Sequence, residues 1–327
     1  MSVPLVCPRC HGPVTREPES YRCDPCDETY PVVCGIPDFR IAPDPWLGLD
    51  EDRAKARRLA ELTRGIDFEA SVRTYWEITP DTPRDLARRY IRHVLAARAR
   101  SDEWLAGLSP ADETAWLDLG CGTGDGLAAL SARGRQAVGV DIALRWLVIA
   151  RRRAELRGDG VALICCCAEA LPFPREAFGR VVALGLFEHC AAPEPVCREA
   201  RRVLATGGRF DTRTVNRYSV LGEPHVGVWG AGFVPRGLAD RYVRWRAGIR
   251  YQHHRPLSPR DLRRAMKRAG FSSVRVGAAR VLPAERERLG GLGRAAAALY
   301  AGLRVVPVAR RALAWGAPLL EASGRVA

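Results

Sequence analysis

Four cysteines close to the start of the chain have the spacing of a metal site. Cys7 and Cys10 form one Cys-x-x-Cys pair, and Cys23 and Cys26 form another after twelve intervening residues. Two such pairs can supply four thiolates in a tetrahedron, which is typical of structural Zn²⁺. A segment of about 40 residues has too small a core to fold unaided, so bound metal would add stability. The spacing predicts a four-cysteine zinc domain over residues 1–42, with redox-active dithiols or incidental cysteines as the alternatives.

A glycine-rich turn further along the chain could hold a cofactor. The apolar residues from Ala115 lead into Asp118-Leu-Gly-Cys-Gly-Thr-Gly124, and Leu127 and Leu130 then indicate a helix. Glycines let the backbone approach a ligand where side chains would clash. A dinucleotide fingerprint would need glycine at position 125, which is Asp125. The turn therefore predicts a nucleotide-like ligand of another class.

Further apolar segments alternate with helical ones after this turn. We predict strands at residues 137–141, 161–167, 178–187 and 203–212 in addition to the strand before the turn. Five strands alternating with helices predict a doubly wound, Rossmann-like α/β sheet, in which ligands lie beyond the carboxyl ends of the strands. Asp141 ends the second strand, where a carboxylate can accept both hydroxyls of a ribose.

The order strand-Asp-x-Gly-x-Gly-x-Gly matches motif I of class I S-adenosylmethionine-dependent methyltransferases. The chain resembles this family over about residues 113–215. The resemblance implies S-adenosylmethionine as cofactor, with its methionine near the glycine turn, its ribose on Asp141 and its adenine near Ala168 and Glu169. The implied cofactor-binding residues are Asp118, Gly120, Cys121, Gly122, Gly124, Asp141, Ile142, Cys167, Ala168, Glu169 and Leu184. The chain departs from the family pattern where Cys167, Gly179 and Gly185 stand in place of usual acids.

Residues 3–40 resemble the small zinc ribbons that occur alone as methyltransferase activators or are fused to methyltransferases. We therefore expect a zinc ribbon at 1–42, a helical linker or cap at 43–112, and the methyltransferase domain at 113–283. Residues 216–256 form an insertion that would cover the acceptor site as a lid. Apolar residues among arginines predict amphipathic helices over 284–327.

Methyl transfer from a sulfonium depends chiefly on positioning, and it needs a base only when the acceptor must lose a proton. His189, with Glu188 before it, follows the fourth predicted strand and is the candidate base; its alternative role is to shape the cofactor pocket. Residues that could contact the acceptor are Tyr75, Asn216, Tyr218, Trp229, His253 and His254.

Composition bounds the partners. Of 327 residues, 47% are apolar and 27% charged, which excludes wholesale disorder and collagen. The net charge of +14 lies in the second half, because residues from 191 onward carry 26 Lys+Arg against 9 acids. Only two of the 51 basic residues are lysines, so genomic bias is an alternative source of the charge.

The expected reaction is transfer of a methyl group to an oxygen or nitrogen of a small molecule, such as a natural-product, sugar, glycolipid or phenolic intermediate. The alternative is an RNA methyltransferase that uses the arginine-rich half to bind phosphates. A non-catalytic adaptor is a third reading. The C-terminal helices could contact an anionic membrane, cover the lid or form a dimer contact. The amino terminus does not read as an export signal, so we expect a cytoplasmic protein with reduced cysteines.

Overall fold

The structure is a computed structural model that describes residues 3–80, 82–109 and 115–327. The boundary expected at residues 112/113 lies outside the described residues. Two compact units are present, one formed by residues 1–182 with 202–208 and the other by residues 183–201 with 209–327. The strands have the bounds Thr15–Arg16 (β1), Ser20–Cys23 (β2), Glu28–Val33 (β3), Ile36–Pro37 (β4), Trp116–Leu119 (β5), Ala137–Asp141 (β6), Ala162–Cys165 (β7), Phe178–Leu184 (β8), Leu204–Val215 (β9), Ser272–Ala278 (β10) and Leu319–Arg325 (β11).

The helices have the bounds Leu49–Leu62 (α1), Phe68–Glu77 (α2), Arg84–Leu95 (α3), Ala97–Ala106 (α4), Asp125–Ser131 (α5), Leu144–Arg157 (α6), Pro193–Val203 (α7), Arg236–Ala247 (α8), Pro259–Arg268 (α9), Pro283–Arg286 (α10), Gly291–Val305 (α11) and Pro307–Gly316 (α12). None of the helices in the described ranges is both long and apolar enough to cross a membrane.

A seven-stranded sheet runs in the order β10-β11-β9-β8-β5-β6-β7, so the predicted Rossmann-like α/β class is confirmed. In the first unit β5 pairs in parallel with both β6 and β8, and β6 pairs in parallel with β7. Asp118 in β5 lies opposite Gly139 in β6 and Val182 in β8. Because parallel strands end at the same edge, the turn after β5 and Asp141 at the end of β6 are neighbours.

The amino-terminal segment is part of the first unit. Strands β1 to β4 form a small antiparallel sheet. Asp38, just after β4, forms a parallel bridge with Cys165 of β7, and the amide of Phe39 donates to the carbonyl of Cys165 at 2.7 Å. This segment therefore covers the outer edge of β7, where unpaired backbone groups would otherwise be exposed.

The second unit contains a strand that the sequence pattern does not predict. We expected helices to the end of the chain, but residues 319–325 form β11, which pairs antiparallel with β9 and β10. Its buried positions alternate, at Leu320, Ala322 and Gly324, as a strand requires. Helix α9 begins at a capping box formed by Ser258 and Asp261, and its Leu262 and Met266 are buried.

Candidate functional site

The turn between β5 and α5 is built by three glycines with left-handed backbone. Gly120, Gly122 and Gly124 have φ of 77°, 51° and 74°, a region that L side chains rarely adopt. A Cβ placed on Gly122 would have open space around it, so the backbone at Gly122 is open to a ligand, whereas Gly124 packs closely against Ala150. The turn leads directly into α5.

Asp118 lies beneath this turn. Its side chain is 2% exposed, and a Cβ on Gly126 would come within 2.4 Å of its Oδ2. Desolvation, with the charges of Asp125 and Asp141, raises the pKa of Asp118 well above its usual value. Gly126 thus permits the close approach of α5 to Asp118, which sets the position of the turn.

Asp141 is placed to bind hydroxyl groups. Its Oδ2 accepts the backbone N–H of Gly122 at 2.9 Å, and its Oδ1 accepts that of Ala143 at 2.8 Å. A carboxylate has about four lone-pair positions, so two remain for ligand hydroxyls. Desolvation raises the pKa of Asp141, although the two amide donors lower it in part.

Buried ion pairs hold the segment that follows Asp141. Asp52 of α1 accepts hydrogen bonds from Nη1 of Arg40 at 2.7 Å, from Nη1 of Arg145 at 2.8 Å and from the amide of Leu144 at 2.9 Å. Arg40 also donates to the carbonyl of Ile142 at 3.1 Å. The amino-terminal segment and α1 therefore position the loop between β6 and α6, which follows Asp141 and contains the predicted cofactor residue Ile142.

The remaining predicted cofactor residues differ in exposure. Cys121 and Cys167 are buried, and the Cys167 thiol donates to the carbonyl of Ala42 at 3.7 Å. Glu169 is exposed, and partial desolvation raises its pKa. Leu184 is half-buried at the end of β8 and belongs to the second unit.

The four predicted metal-binding cysteines converge, with their sulfurs within 4.8 Å of one another. The Sγ atoms of Cys7 and Cys26 are 3.8 Å apart, and those of Cys10 and Cys23 are 3.6 Å apart. Tetrahedral zinc with Zn–S bonds of about 2.3 Å separates its sulfurs by about 3.8 Å, so the cluster fits this ion. Its thiol groups are not joined by disulfides. The hydroxyl of Tyr30 lies 3.3 Å from the Cys7 sulfur, where it can orient that ligand.

Glu188 and His189 lie together in a short 3-10 turn, Phe187–His189, of the second unit. The Glu188 carboxylate is buried and accepts a hydrogen bond from the hydroxyl of Thr214 at 2.6 Å. Desolvation, with the charge of His225, lowers the pKa of His189 to about 3. The role of His189 as a base stays a prediction.

Two further histidines surround His189. The ring centroids of His225 and His254 lie 5.0 Å and 5.3 Å from that of His189. His254 was a predicted acceptor contact, whereas His225 was not a predicted site residue. The one sequence signal near His225 is an acid two residues before it, Glu223. In the structure, Glu223 Oε1 lies 2.6 Å from His225 Nδ1.

Two other predicted acceptor contacts, Tyr75 and Asn216, are buried. Tyr75 is 5% exposed and packs on Trp146, with ring centroids 4.1 Å apart. The Asn216 side chain is 1% exposed and donates to the carbonyls of Ala314 and Ala317.

Tyr218, Trp229 and His253 are more accessible. Tyr218 is half-buried beside Phe233, and Trp229 is 63% exposed while donating to the carbonyl of Val220. His253 is exposed and has φ of 63°. Their roles toward an acceptor stay predictions.

Comparison with known proteins identifies relatives of the cofactor half. A family model described as a methyltransferase domain matches residues 117–211. A ubiquinone/menaquinone biosynthesis C-methyltransferase of Acidiphilium cryptum is 34% identical over 180 residues, which are 53% of this chain and 72% of that protein. A ubiquinone biosynthesis O-methyltransferase of Idiomarina loihiensis is 30% identical over 161 residues, covering 49% of this chain and 62% of that protein.

A demethylmenaquinone methyltransferase of Thermus thermophilus is 46% identical over 96 residues, covering 29% of this chain and 44% of that protein. The chain thus spans less than two thirds of two of these three relatives. The residues that match the family model include Asp118, the glycine turn and Asp141. The chain belongs to the class I S-adenosylmethionine-dependent methyltransferases.

Proposed function

We propose that this chain transfers the methyl group of S-adenosylmethionine to an oxygen or carbon of a phenolic or quinol-type small molecule. The observation that carries the proposal is the combination of an open glycine turn and a neighbouring Asp141 within the matched residues 117–211. The relatives are named for ubiquinone and menaquinone biosynthesis, and none of the three is named for a sugar or glycolipid. One relative is named as a C-methyltransferase, so carbon is proposed beside oxygen as an acceptor atom.

S-adenosylmethionine, when bound, supplies a methyl group on a positively charged sulfur. Asp141 would hold the ribose through its two remaining acceptor positions, and the backbone of residues 120–124 would lie along the methionine. Ala168 and Glu169 would lie near the adenine. These residues orient the methyl group, and orientation with exclusion of water is the main contribution to such a displacement.

We assign the four-cysteine cluster to structural zinc. The sulfur separations of 3.6–3.8 Å match those of a tetrahedral site, and the segment that carries it covers the edge of β7. Arg40, which follows this segment, donates to Asp52 and to the carbonyl of Ile142. Bound zinc would therefore stabilise the loop after Asp141 indirectly, through the segment that leads to Arg40. It would take no part in methyl transfer.

We also propose that helix α11 contacts an anionic membrane surface. Leu292, Leu299 and Val305 are 91%, 67% and 81% exposed, and Arg294 lies on the same helix. The hydroxyl of Tyr300 donates to the carbonyl of Ala279, which ties the helix to its own unit while leaving these apolar side chains outward. Apolar side chains beside arginines suit an anionic interface, where a poorly soluble acceptor would collect.

The experiment that tests the reaction uses the full chain with S-adenosylmethionine labelled on its methyl group. The acceptors are a panel of catechols and demethylated quinols. Total RNA is tested in parallel, because an RNA methyltransferase is the alternative hypothesis. We expect label in the phenolic or quinol product and its loss in the Asp141→Ala variant. Label recovered only in RNA, or transfer that is unchanged by Asp141→Ala, would overturn the proposal.

A further inference from the structure

Three histidines from separate segments of the second unit converge on one point. His189 ends the 3-10 turn after β8, His225 lies in the loop after β9, and His254 follows α8. One ring nitrogen of each lies within 4.8 Å of those of the other two. The centroids of the His225 and His254 rings are 4.4 Å apart. Three imidazole nitrogens at this separation can reach a common ligand.

Hydrogen bonds at Nδ1 orient two of these rings. His225 Nδ1 lies 2.6 Å from Oε1 of Glu223, and His254 Nδ1 lies 2.9 Å from the carbonyl oxygen of Gln252. When Nδ1 carries the proton, Nε2 carries the lone pair. Metal-binding histidines almost always have this arrangement, with one ring nitrogen donating to a carboxylate or a carbonyl and the other facing the metal.

Glu223 is itself fixed in place. Its side chain is 6% exposed, and its Oε2 accepts the amides of His225 at 2.8 Å and of Val226 at 3.0 Å. The carboxylate is therefore a rigid support for the His225 ring.

Hydrogen bonds from Arg255 hold His254 beside His189. The amide of Arg255 donates to the carbonyl of Glu188 at 2.6 Å, and Nη1 of Arg255 donates to the carbonyl of Ala191 at 3.2 Å. The residues next to His254 and His189 are thus joined directly. The ring of Tyr251 stacks on that of His254, with centroids 5.2 Å apart and planes 9° from parallel.

Two independent features beside the cluster point to a ligand. Tyr251 is 6% exposed, yet its hydroxyl has no hydrogen-bond partner within the described ranges. The buried carboxylate of Glu223 lies beside the same cluster, with its Oε1 2.6 Å from His225 Nδ1. Buried polar groups normally have partners, and a carboxylate beside an imidazole is a usual support of a metal-binding histidine.

We propose that His189, His225 and His254 bind a divalent transition metal, with zinc as the best fit, and leave a fourth position for an oxygen ligand. Three imidazoles suit zinc, and catalytic zinc sites often combine three protein ligands with an open position. Zn–N bonds of about 2.0–2.1 Å separate tetrahedral nitrogens by about 3.3–3.4 Å, and the three ring nitrogens lie within 4.8 Å of one another. The oxygen ligand would be a water molecule or a hydroxyl group of a bound small molecule.

A metal-bound hydroxyl loses its proton to solvent more readily than a free one. The Tyr251 hydroxyl would be a hydrogen-bond donor at the same point.

Metal content of the full chain tests the site. The protein is saturated with Zn²⁺, dialysed, and analysed for zinc by mass spectrometry. We expect about two ions per wild-type chain, one at the cysteine cluster and one at the histidines. His189→Ala, His225→Ala and His254→Ala should each lose one ion. His253→Ala is the matched control and should keep both, because His253 is adjacent in sequence but outside the cluster.

We expect His189→Ala to fold like the wild type, because that side chain is exposed. Zinc lost by this variant therefore reports on the site and not on misfolding. Equal zinc in the wild type, His189→Ala and His254→Ala would overturn the proposal, whatever the methyl-transfer assay shows. A wild type with one ion that His254→Ala loses would retain the histidine site and reject the cysteine site.

Glu223→Gln tests the support of the His225 ring. Replacing such a partner typically weakens metal affinity by about 10–100-fold, so we expect the variant to lose zinc to a chelator at correspondingly lower chelator concentration. Thermal unfolding of the metal-free proteins provides the control for fold. Unchanged affinity in a variant that loses neither fold nor ions would overturn the assigned role of Glu223.

Discussion

The backbone N–H of Gly122 donates a 2.9 Å hydrogen bond to Oδ2 of Asp141, which joins the glycine turn after β5 to the end of β6. The same carboxylate accepts the amide of Ala143 through Oδ1. Asp141 therefore has two functions, because it stabilises the turn and also offers acceptor positions to a ligand.

Asp141→Asn should weaken S-adenosylmethionine binding by about 10–100-fold, because hydrogen bonds to a charged group contribute about 1.5–3 kcal/mol. Titration calorimetry measures the change. Asp85→Asn is a control, since that side chain is 91% exposed in α3. Equal affinity in the Asp141 variant and the control would exclude Asp141 from the binding site.

Gly126→Ala should lower the free energy of unfolding by about 1–3 kcal/mol, the usual cost of overpacking. The added Cβ would come within 2.4 Å of the buried Asp118 carboxylate. Gly237→Ala in α8 is the control, because its Cβ would meet nothing within 4 Å, and there we expect no loss of stability. Chemical denaturation compares the two variants, and equal midpoints would contradict the packing of α5 on Asp118.

Cys23→Ser should remove one zinc ion per chain and expose residues 3–40 to proteolysis, because this segment depends on metal for stability. Cys34→Ser should leave both properties unchanged, since Cys34 lies outside the four-cysteine cluster. Metal analysis and limited proteolysis provide the readouts. A Cys23→Ser protein with full zinc content would argue against the site.

Asp38→Asn should lower stability in a pH-dependent way. Burial alone would raise the pKa of Asp38, but Arg40 and Arg53 outweigh it and hold this pKa below its usual value. A lowered folded pKa stabilises the protein above the unfolded pKa of about 3.9, and this contribution disappears as pH falls through the folded pKa.

We therefore expect a loss of about 3–5 kcal/mol at pH 7, the usual cost of breaking a buried ion pair, and a smaller loss below about pH 4. Urea unfolding across this pH range measures both. The control is Asp50→Asn, whose side chain is 99% exposed beside Arg53. A loss that does not depend on pH would show that Asp38 stabilises the fold by packing rather than by charge.

Leu299→Glu should weaken binding to vesicles that contain anionic phospholipid by about 10–100-fold, because an apolar side chain contributes about 1.5–3 kcal/mol when it is buried. Leu238→Glu is the matched control on α8, where Leu238 is 53% exposed. Vesicle sedimentation compares them at low and moderate salt. Wild-type protein that stays in the supernatant would reject the membrane proposal.

Local patterns in the sequence determined much of the first unit. The two Cys-x-x-Cys pairs, the glycine turn and the acid at the end of β6 each occupy a few consecutive residues, and their chemistry follows from residue type and spacing. The capping box of Ser258 and Asp261 was equally local. Such features depend on near neighbours in the chain, which is why they could be recognised before the fold was known.

The tertiary structure alone decided the features that join distant residues. Residues 319–325 contain no strong strand pattern, yet they form β11 because β9 and β10 offer paired backbone partners on both sides. His189, His225 and His254 are separated by 36 and 29 positions along the chain, and they meet only through the folded backbone. Likewise, Asp52 and Arg145 became partners through the packing of α1 near the start of α6. Long-range pairing depends on the whole fold, and no short sequence pattern encodes it.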